Sequence, residues 1–385
     1  MGIGRLPGFR VDRTGAAIIG AALMIATGAL TMEQARAAVD DQTIILLFGM
    51  MIVVANLRLS GFFTLVSAWV VERTRRPIVL LAAIVAVSGF FSAFFVNDTM
   101  CLVLTPLVLE ITLRLRRNPV PYLLAVAMAA NIGSVATITG NPQNMMIGSF
   151  SGIGYRAFLG AMAPVGATGL VVLLALIPIF YRAEFRRETM MRIEHQPVTV
   201  ERLQLWKSLL ISVAMVGFFF VGWPAPEIAL TAGALLLITR RIEPEKVYRE
   251  IDWPLLGMFV GLFIVVAGME RTPLAADFLS AATRFHLERT AILSAAAALL
   301  SNIVSNVPAV LIFKPVVARL ADPRHAWLVL AMSSTLAGNL TVLGSVANLI
   351  VLERARRDVH ISFWEYARLG VPVTLVTLAI GVALL

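Results

Sequence analysis

The chain has 385 residues, 59% of them hydrophobic and 14% charged, with a mean hydropathy of +0.85. No soluble domain of this length hides so much apolar surface, so the solvent for most of it is lipid. The net charge of +9 would call for a nucleic-acid partner only if the basic residues formed one patch; they punctuate apolar runs instead and report topology.

In chain order, apolar runs near 15–31, 41–57, 120–149, 158–181, 205–222, 225–240, 253–269, 326–352 and 365–385 predict about nine spanning helices, taking about 20 residues as one crossing. Two further runs, 77–116 and 288–320, are divided by Asn97-Asp98-Thr99 and by Ser305-Asn306, and predict re-entrant helical hairpins. Segments 59–74 and 271–285 precede them, too polar at their ends to span, and predict interfacial amphipathic helices. The fold class is an all-α polytopic membrane protein. The first run follows Arg5, Arg10 and Arg13 and precedes Ala-Arg-Ala-Ala, as a signal peptide would. That reading fails because GAALMIAT (Gly20 to Thr27) has a counterpart in GALLLIT (Gly233 to Thr239).

The counterpart belongs to an internal repeat. Asp40 with FGMMIVVA (Phe48 to Ala55) matches Asp252 with VGLFIVVA (Val260 to Ala267), at an offset of 212. VNDTMCLVLTP (Val96 to Pro106) matches VSNVPAVLIFKP (Val304 to Pro315), pairing Asn97 with Asn306 at an offset of 209. ATITGNPQN (Ala136 to Asn144) matches LTVLGSVAN (Leu340 to Asn348), pairing Thr137 with Thr341, Gly140 with Gly344 and Asn144 with Asn348 at 204. The repeats are therefore expected at 1–181 and 205–385, joined by a basic cytoplasmic linker at 182–204. With the N-terminus inside and the C-terminus outside, 24 of the 32 Lys and Arg residues fall in cytoplasmic segments, as the positive-inside rule requires. The same arrangement makes the repeats inverted.

Irregular backbone at membrane depth is tolerated only inside protein or beside water, so the interruptions mark the candidate site. Gly140, Asn141 and Pro142 are expected to break one spanning helix, and Gly344 and Ser345 its partner. A broken helix offers N–H groups at one new end and carbonyls at the other, suited to an anion and a cation respectively. Thr137, Thr139, Asn141, Gln143, Asn144, Thr341, Ser345 and Asn348 add neutral polar groups; the alternative reading is that Thr and Asn only cap the broken ends. Asn97, Asp98, Thr99, Ser305 and Asn306 are expected to meet near the midplane. Asp98 is the most informative of them, because an ionisable side chain at that depth is a functional hypothesis by default. It would ligate a cation or carry a proton, or else accept N–H bonds where its helix begins. The second copy has Val307 in its place.

Glu110 and Lys314 lie two or three turns from the tips, where long side chains snorkel to an interface. The four histidines form no metal-ligand spacing, Cys101 is the single cysteine, and no phosphate-binding glycine loop is present. The expectation is a transporter, not an enzyme, with no cofactor beyond a coupling ion.

NIGSVATITGNPQNMMIG (Asn131 to Gly148), VNDTMCLVLTPLVL (Val96 to Leu109) and AGNLTVLGSVANLIV (Ala337 to Val351) resemble the ion transporter superfamily. The likeness is greatest to its arsenite/antimonite-permease and citrate-transporter-like branch, which is related to NhaD-type antiporters and divalent-anion/sodium symporters. The resemblance implies an elevator-like mechanism, often in a homodimer, within the inner membrane. The symporters carry Ser-Asn-Thr at both tips. Here Val96-Asn97-Asp98 and Ser305-Asn306-Val307 stand there, losing two hydroxyls and gaining a carboxylate. These departures suit a neutral or weakly charged substrate such as arsenous acid, or cation exchange. The expected function is a secondary active transporter of a small anion or its neutral acid, an arsenite-like oxyanion or a carboxylate, coupled to H⁺ or Na⁺, with export driven by the proton motive force the preferred form. Asn97, Asp98, Gly140 and Asn144 are the expected ligands if Na⁺ couples. The second reading is a Na⁺/H⁺ antiporter, and a channel is a third.

Overall fold

A computed structural model of the chain describes residues 11–74, 76–186, 200–238, 242–272 and 284–385, and these are helical without a strand. The helices are α1 (Arg13–Ala26), α2 (Met32–Ala38), α3 (Asp41–Leu59), α4 (Phe62–Arg73), α5 (Pro77–Phe94), α6 (Asn97–Arg114), α7 (Pro119–Ser134), α8 (Pro142–Ser151), α9 (Tyr155–Phe180) and α10 (Arg182–Phe185). They continue with α11 (Arg202–Val221), α12 (Ala225–Leu237), α13 (Pro244–Arg249), α14 (Trp253–Glu270), α15 (Thr290–Val304), α16 (Asn306–Val317), α17 (Pro323–Leu336), α18 (Val346–Ala355) and α19 (Phe363–Leu384). The helix expected at 271–285 and most of the 182–204 linker lie outside the described residues.

Local chemistry sets the starts. Proline opens α5, α7, α8 and α17, where its missing N–H costs nothing, and Asp12, Asn118, Asn141, Asp252, Asp322 and Ser362 accept N–H bonds as N-caps. Among the described residues six helices, α3, α5, α9, α11, α14 and α19, are long and apolar enough to cross a membrane. The runs expected to span at 15–31 and 225–240 give shorter helices, α1 with 14 residues and α12 with 13.

The layers follow from which helices are buried all round. Every residue of α7 from Val120 to Ser134 is buried, as is α17 from Ala326 to Leu336, so these two form the centre. Around them pack the hairpins α5–α6 and α15–α16, the arms α8 and α18, and the long helices α9 and α19. An outer group, α1, α3, α11, α12 and α14, presents Leu210, Val213, Phe218, Leu230 and Leu235 outward to lipid.

Between lipid-bathed helices there is little hydrophobic drive, so close backbone approach over small residues holds them together. A Cβ on Gly133 would lie 2.1 Å from the Gly89 carbonyl oxygen, which fixes α7 against α5. A Cβ on Gly49 would meet the Ala229 backbone of α12 at 2.5 Å, and one on Gly261 the Ala17 backbone of α1 at 2.7 Å. Gly49 and Gly261, like Ala17 and Ala229, are separated by the same 212 residues. Gly133→Ala is expected to drive α5 and α7 apart, at about 1–3 kcal/mol of overpacking, and to lower the melting temperature in detergent. Gly217→Ala, on a helix face with nothing within 4 Å, is the control and should leave it unchanged.

Candidate functional site

The two helix breaks are built alike. Between α7 and α8, a single 3₁₀ turn spans Ile138–Gly140, and Asn141 caps α8 by accepting from Asn144 N at 2.9 Å. The Asn144 amide donates to the carbonyls of Ser134 (3.1 Å) and Thr137 (2.9 Å), which the break leaves without helical partners. Between α17 and α18 the chain makes two 3₁₀ turns, Ala337–Asn339 and Val342–Gly344, and Ser345 caps α18. There the Asn348 amide donates to Gly338 O (2.7 Å) and Thr341 O (3.0 Å). Glycine is required at both: a Cβ on Gly140 would stand 2.2 Å from Ser134 O, and one on Gly344 2.9 Å from Gly338 O. The helices end earlier than Gly140 and Gly344, at Ser134 and Leu336, because these turns precede the glycines.

Asn131, on α7, joins the parts. Its Oδ1 accepts from Asn97 Nδ2 and from Ser345 Oγ, each at 3.0 Å. Its Nδ2 donates to Asn339 Oδ1 (2.9 Å) and Asn348 Oδ1 (3.1 Å). All five residues are buried, so one amide links the first hairpin tip to the second broken helix. The second tip reaches the same place: with Nδ2 turned inward, Asn306 donates to Ser334 O (3.0 Å) and Gly344 O (3.2 Å). Both the Asn131 and the Asn306 amides would lie 3.5 Å from a Cβ on Gly338. Ser305 makes the turn into α16 at φ 82° and ψ 160°, a region that favours glycine and costs a side-chain-bearing residue about 1–3 kcal/mol.

Asp98 and Thr99 diverge from this amide cluster. Both line a cavity of about 60 Å³ toward α3 and α14. The Asp98 carboxylate faces the first turn of α18 near Ala347, where the helix dipole favours negative charge; the Ala347 N–H itself donates to Ser345 Oγ at 3.2 Å. Its counterpart Val307 is buried and brings no charge to α8, against which α16 packs. Thr137 and Thr139 face the first hairpin arm: Thr137 Oγ1 donates to Ala93 O, and Thr139 Oγ1 reaches Phe94 O (3.3 Å) and Tyr155 Oη (2.9 Å). Thr341 Oγ1 donates to Asn302 Oδ1 at 3.3 Å. Asn141 and Gln143 donate to Thr335 Oγ1, at 3.3 and 3.1 Å. Lys314 lies over the Phe150 ring at 4.4 Å, a cation–π contact remote from the cluster.

Several participants are not singled out by the sequence. Asn131, Asn339 and Thr335 sit in apolar runs, and Asn131 corresponds to Thr335 in the repeat, so the alignment shows no identity there. Ser92 and Ser301 are buried with unpartnered hydroxyls, each five residues before its tip asparagine, and their shared offset of 209 is the signal that marks them. Asn97 Oδ1 and Asn144 Oδ1 are likewise buried acceptors without a donor. Such oxygens are the groups a bound cation would satisfy.

Asn131→Ala is expected to leave the amides of Asn97, Asn339 and Asn348 short of a partner, at about 1–3 kcal/mol each. A melting temperature in detergent equal to that of the parent would contradict the linking role. Ser305→Gly, by contrast, should relieve about 1 kcal/mol of backbone strain and raise that temperature. A fall would show that the Ser305 side chain contributes more than its backbone costs.

Comparison with known proteins agrees with this architecture. The model of the citrate transporter family matches residues 5–337. The 46 kDa membrane protein of Mycobacterium leprae is 31% identical, over 97% of this chain and 93% of the relative. The silicon efflux transporter LSI3 of Oryza sativa is 30% identical, over 99% of this chain and 93% of the relative. The crystal structure of the YdaH transporter of Alcanivorax borkumensis superposes with a TM-score of 0.61 at 15% identity, covering 97% of this chain and 88% of that one, and so shares the fold. The chain, a multi-pass membrane transporter rather than an enzyme, belongs to the citrate transporter family.

Proposed function

We propose that the chain is a secondary active transporter that exports a small neutral or weakly charged oxyacid, with Asp98 as the coupling group and H⁺ or Na⁺ as the coupling ion. One observation carries this reading: the Asp98 carboxylate faces the first turn of α18 near Ala347. A helix N-terminus is the natural seat for a substrate anion. With a carboxylate of the protein beside it, a second anion entering the low-dielectric centre meets like-charge repulsion. An uncharged acid does not. Silicic and arsenous acids are uncharged at neutral pH, and the rice relative is named for silicon efflux.

The amide-rich cluster around Asn131 suits such a substrate, since amides can donate to or accept from hydroxyl groups without adding charge. The buried acceptors Asn97 Oδ1, Asn144 Oδ1, Ser92 Oγ and Ser301 Oγ support a cation place beside it. An elevator-like movement is supported by the bonds from Thr137 and Thr139 to the hairpin arm, which tie hairpin and broken helix into one body. Inverted repeats at 1–181 and 205–385 are supported by the paired contacts of Gly49 with Ala229 and Gly261 with Ala17. The basic-residue distribution supports an inner-membrane protein with its N-terminus in the cytoplasm.

Proteoliposomes loaded in turn with arsenite, silicic acid and citrate test the reading. Gradient-driven flux of either uncharged acid is expected, with citrate refused, and Asp98→Asn should lower that flux at least tenfold. Citrate transport with both acids refused would sink it. Proton movement on adding Na⁺ with no other solute would put Na⁺/H⁺ exchange in its place.

A further inference from the structure

The cavity that Asp98 lines runs between α6 and α18 on one side and α3 and α14 on the other. Its charged lining consists of Arg58, Asp98, Glu250 and Asp252. Asp98 is half-buried within it, while Asp252 is exposed. On its wall Arg58 and Glu250 form an ion pair, with side chains 31% and 25% exposed. Pairing cancels the Arg58 charge, so the field inside is set by the carboxylates of Asp98 and Asp252, which repel one another and attract a cation.

The corresponding place on the first repeat is built differently. Asp40 stands before α3 as Asp252 stands before α14, yet Ser149 of α8 donates to Asp40 Oδ1 at 3.0 Å. That bond fastens the outer helix to the arm of the broken helix. Asp252 Oδ1 instead accepts from Leu255 N of its own helix, at 3.0 Å, and the cavity lies between α14 and Asp98.

We propose that this cavity is the aqueous access route by which the coupling cation, a proton or a singly charged metal ion, reaches the first hairpin tip. The route opens on the membrane face that carries Arg58 and Glu250, and this structure is the conformation open to that face. The Asp40–Ser149 contact belongs to the closed face, and Asp252 concentrates cations at the open mouth. The inference rests on reading Asp98 as the coupling group, but its geometry is tested without transport.

Thr99 and Leu102 line the cavity, so Thr99→Cys and Leu102→Cys, each in a Cys101→Ser background, report on access to it. In sealed vesicles of either orientation, a membrane-impermeant cationic thiol reagent should modify both cysteines at least tenfold faster from the Arg58 face. Asp252→Asn should slow the cationic reagent at least threefold and leave a neutral reagent of the same size unaffected. Glu250→Gln, which uncovers the Arg58 charge, should act in the same direction. Equal rates from both faces, faster modification from the opposite face, or charge-independent labelling would overturn the route. Asp98→Asn with gradient-driven flux unchanged would remove Asp98 from coupling while leaving the labelling pattern intact, so the two failures are distinguishable.

Discussion

Breaking a helix in hydrocarbon releases carbonyl and N–H groups that no water will take up, and each left unpaired costs several kcal/mol. That constraint organises the centre of this protein. Asn144 and Asn348 spend their amide donors on the carbonyls released by their own breaks, which allows the turns before them to be short; the first is fully buried, while Leu343 in the second is 51% exposed. The glycines at 140 and 344 are consequences of the same solution, since the chain folds back so tightly that a side chain would strike the preceding turn. The hairpin tips dock where those repairs have been made, and Asn131 and Asn306 carry the bonding from one element to the next.

Two similar breaks do not make two similar sites. Asn348 Oδ1 receives a hydrogen from Asn131, whereas Asn144 Oδ1 receives none. The first tip supplies a carboxylate to the start of α18, while the second offers Val307 beside α8. The second tip carries backbone strain at Ser305, and the first passes through Val96 at φ −55° without it. The first copy therefore brings both the carboxylate and the unsatisfied amide acceptors Asn97 Oδ1 and Asn144 Oδ1, and the second brings neither.

Much of this was legible in the sequence because it repeats. Asn97 with Asn306, Gly140 with Gly344 and Asn144 with Asn348 stood out as pairs, and the structure brings Asn97, Asn306 and Asn348 to one place around Asn131 and Gly338. What the repeat could not show is direction. Thr137 and Thr139 lie in the same motif, yet their hydroxyls turn to the hairpin arm. Asp98 is adjacent to Asn97 but lines a cavity toward α3 and α14, away from the amide cluster. Nor could it show the hub, because Asn131 answers to Thr335, and hydropathy hides a lone amide inside an otherwise apolar helix. The helix end at Ser134 escaped for a related reason: Val135 and Ala136 just after it are as apolar as a helix interior, and only the later Gly140 and Pro142 are visible as punctuation, whereas Gly338 and Asn339 follow Leu336 almost at once.

The small-residue contacts of the outer helices reach beyond packing. α3 rests on α12 and α14 on α1, so each contact joins a helix before the 182–204 linker to one after it. The two portions of the chain are thus clasped, each holding an outer helix of the other. An early-synthesised α1 and α3 wait in the bilayer for partners made after residue 224, and their surfaces of Gly and Ala are covered only when the second portion arrives. Membrane insertion and folding are therefore separate events for this protein, the second completed only when most of the chain has left the ribosome.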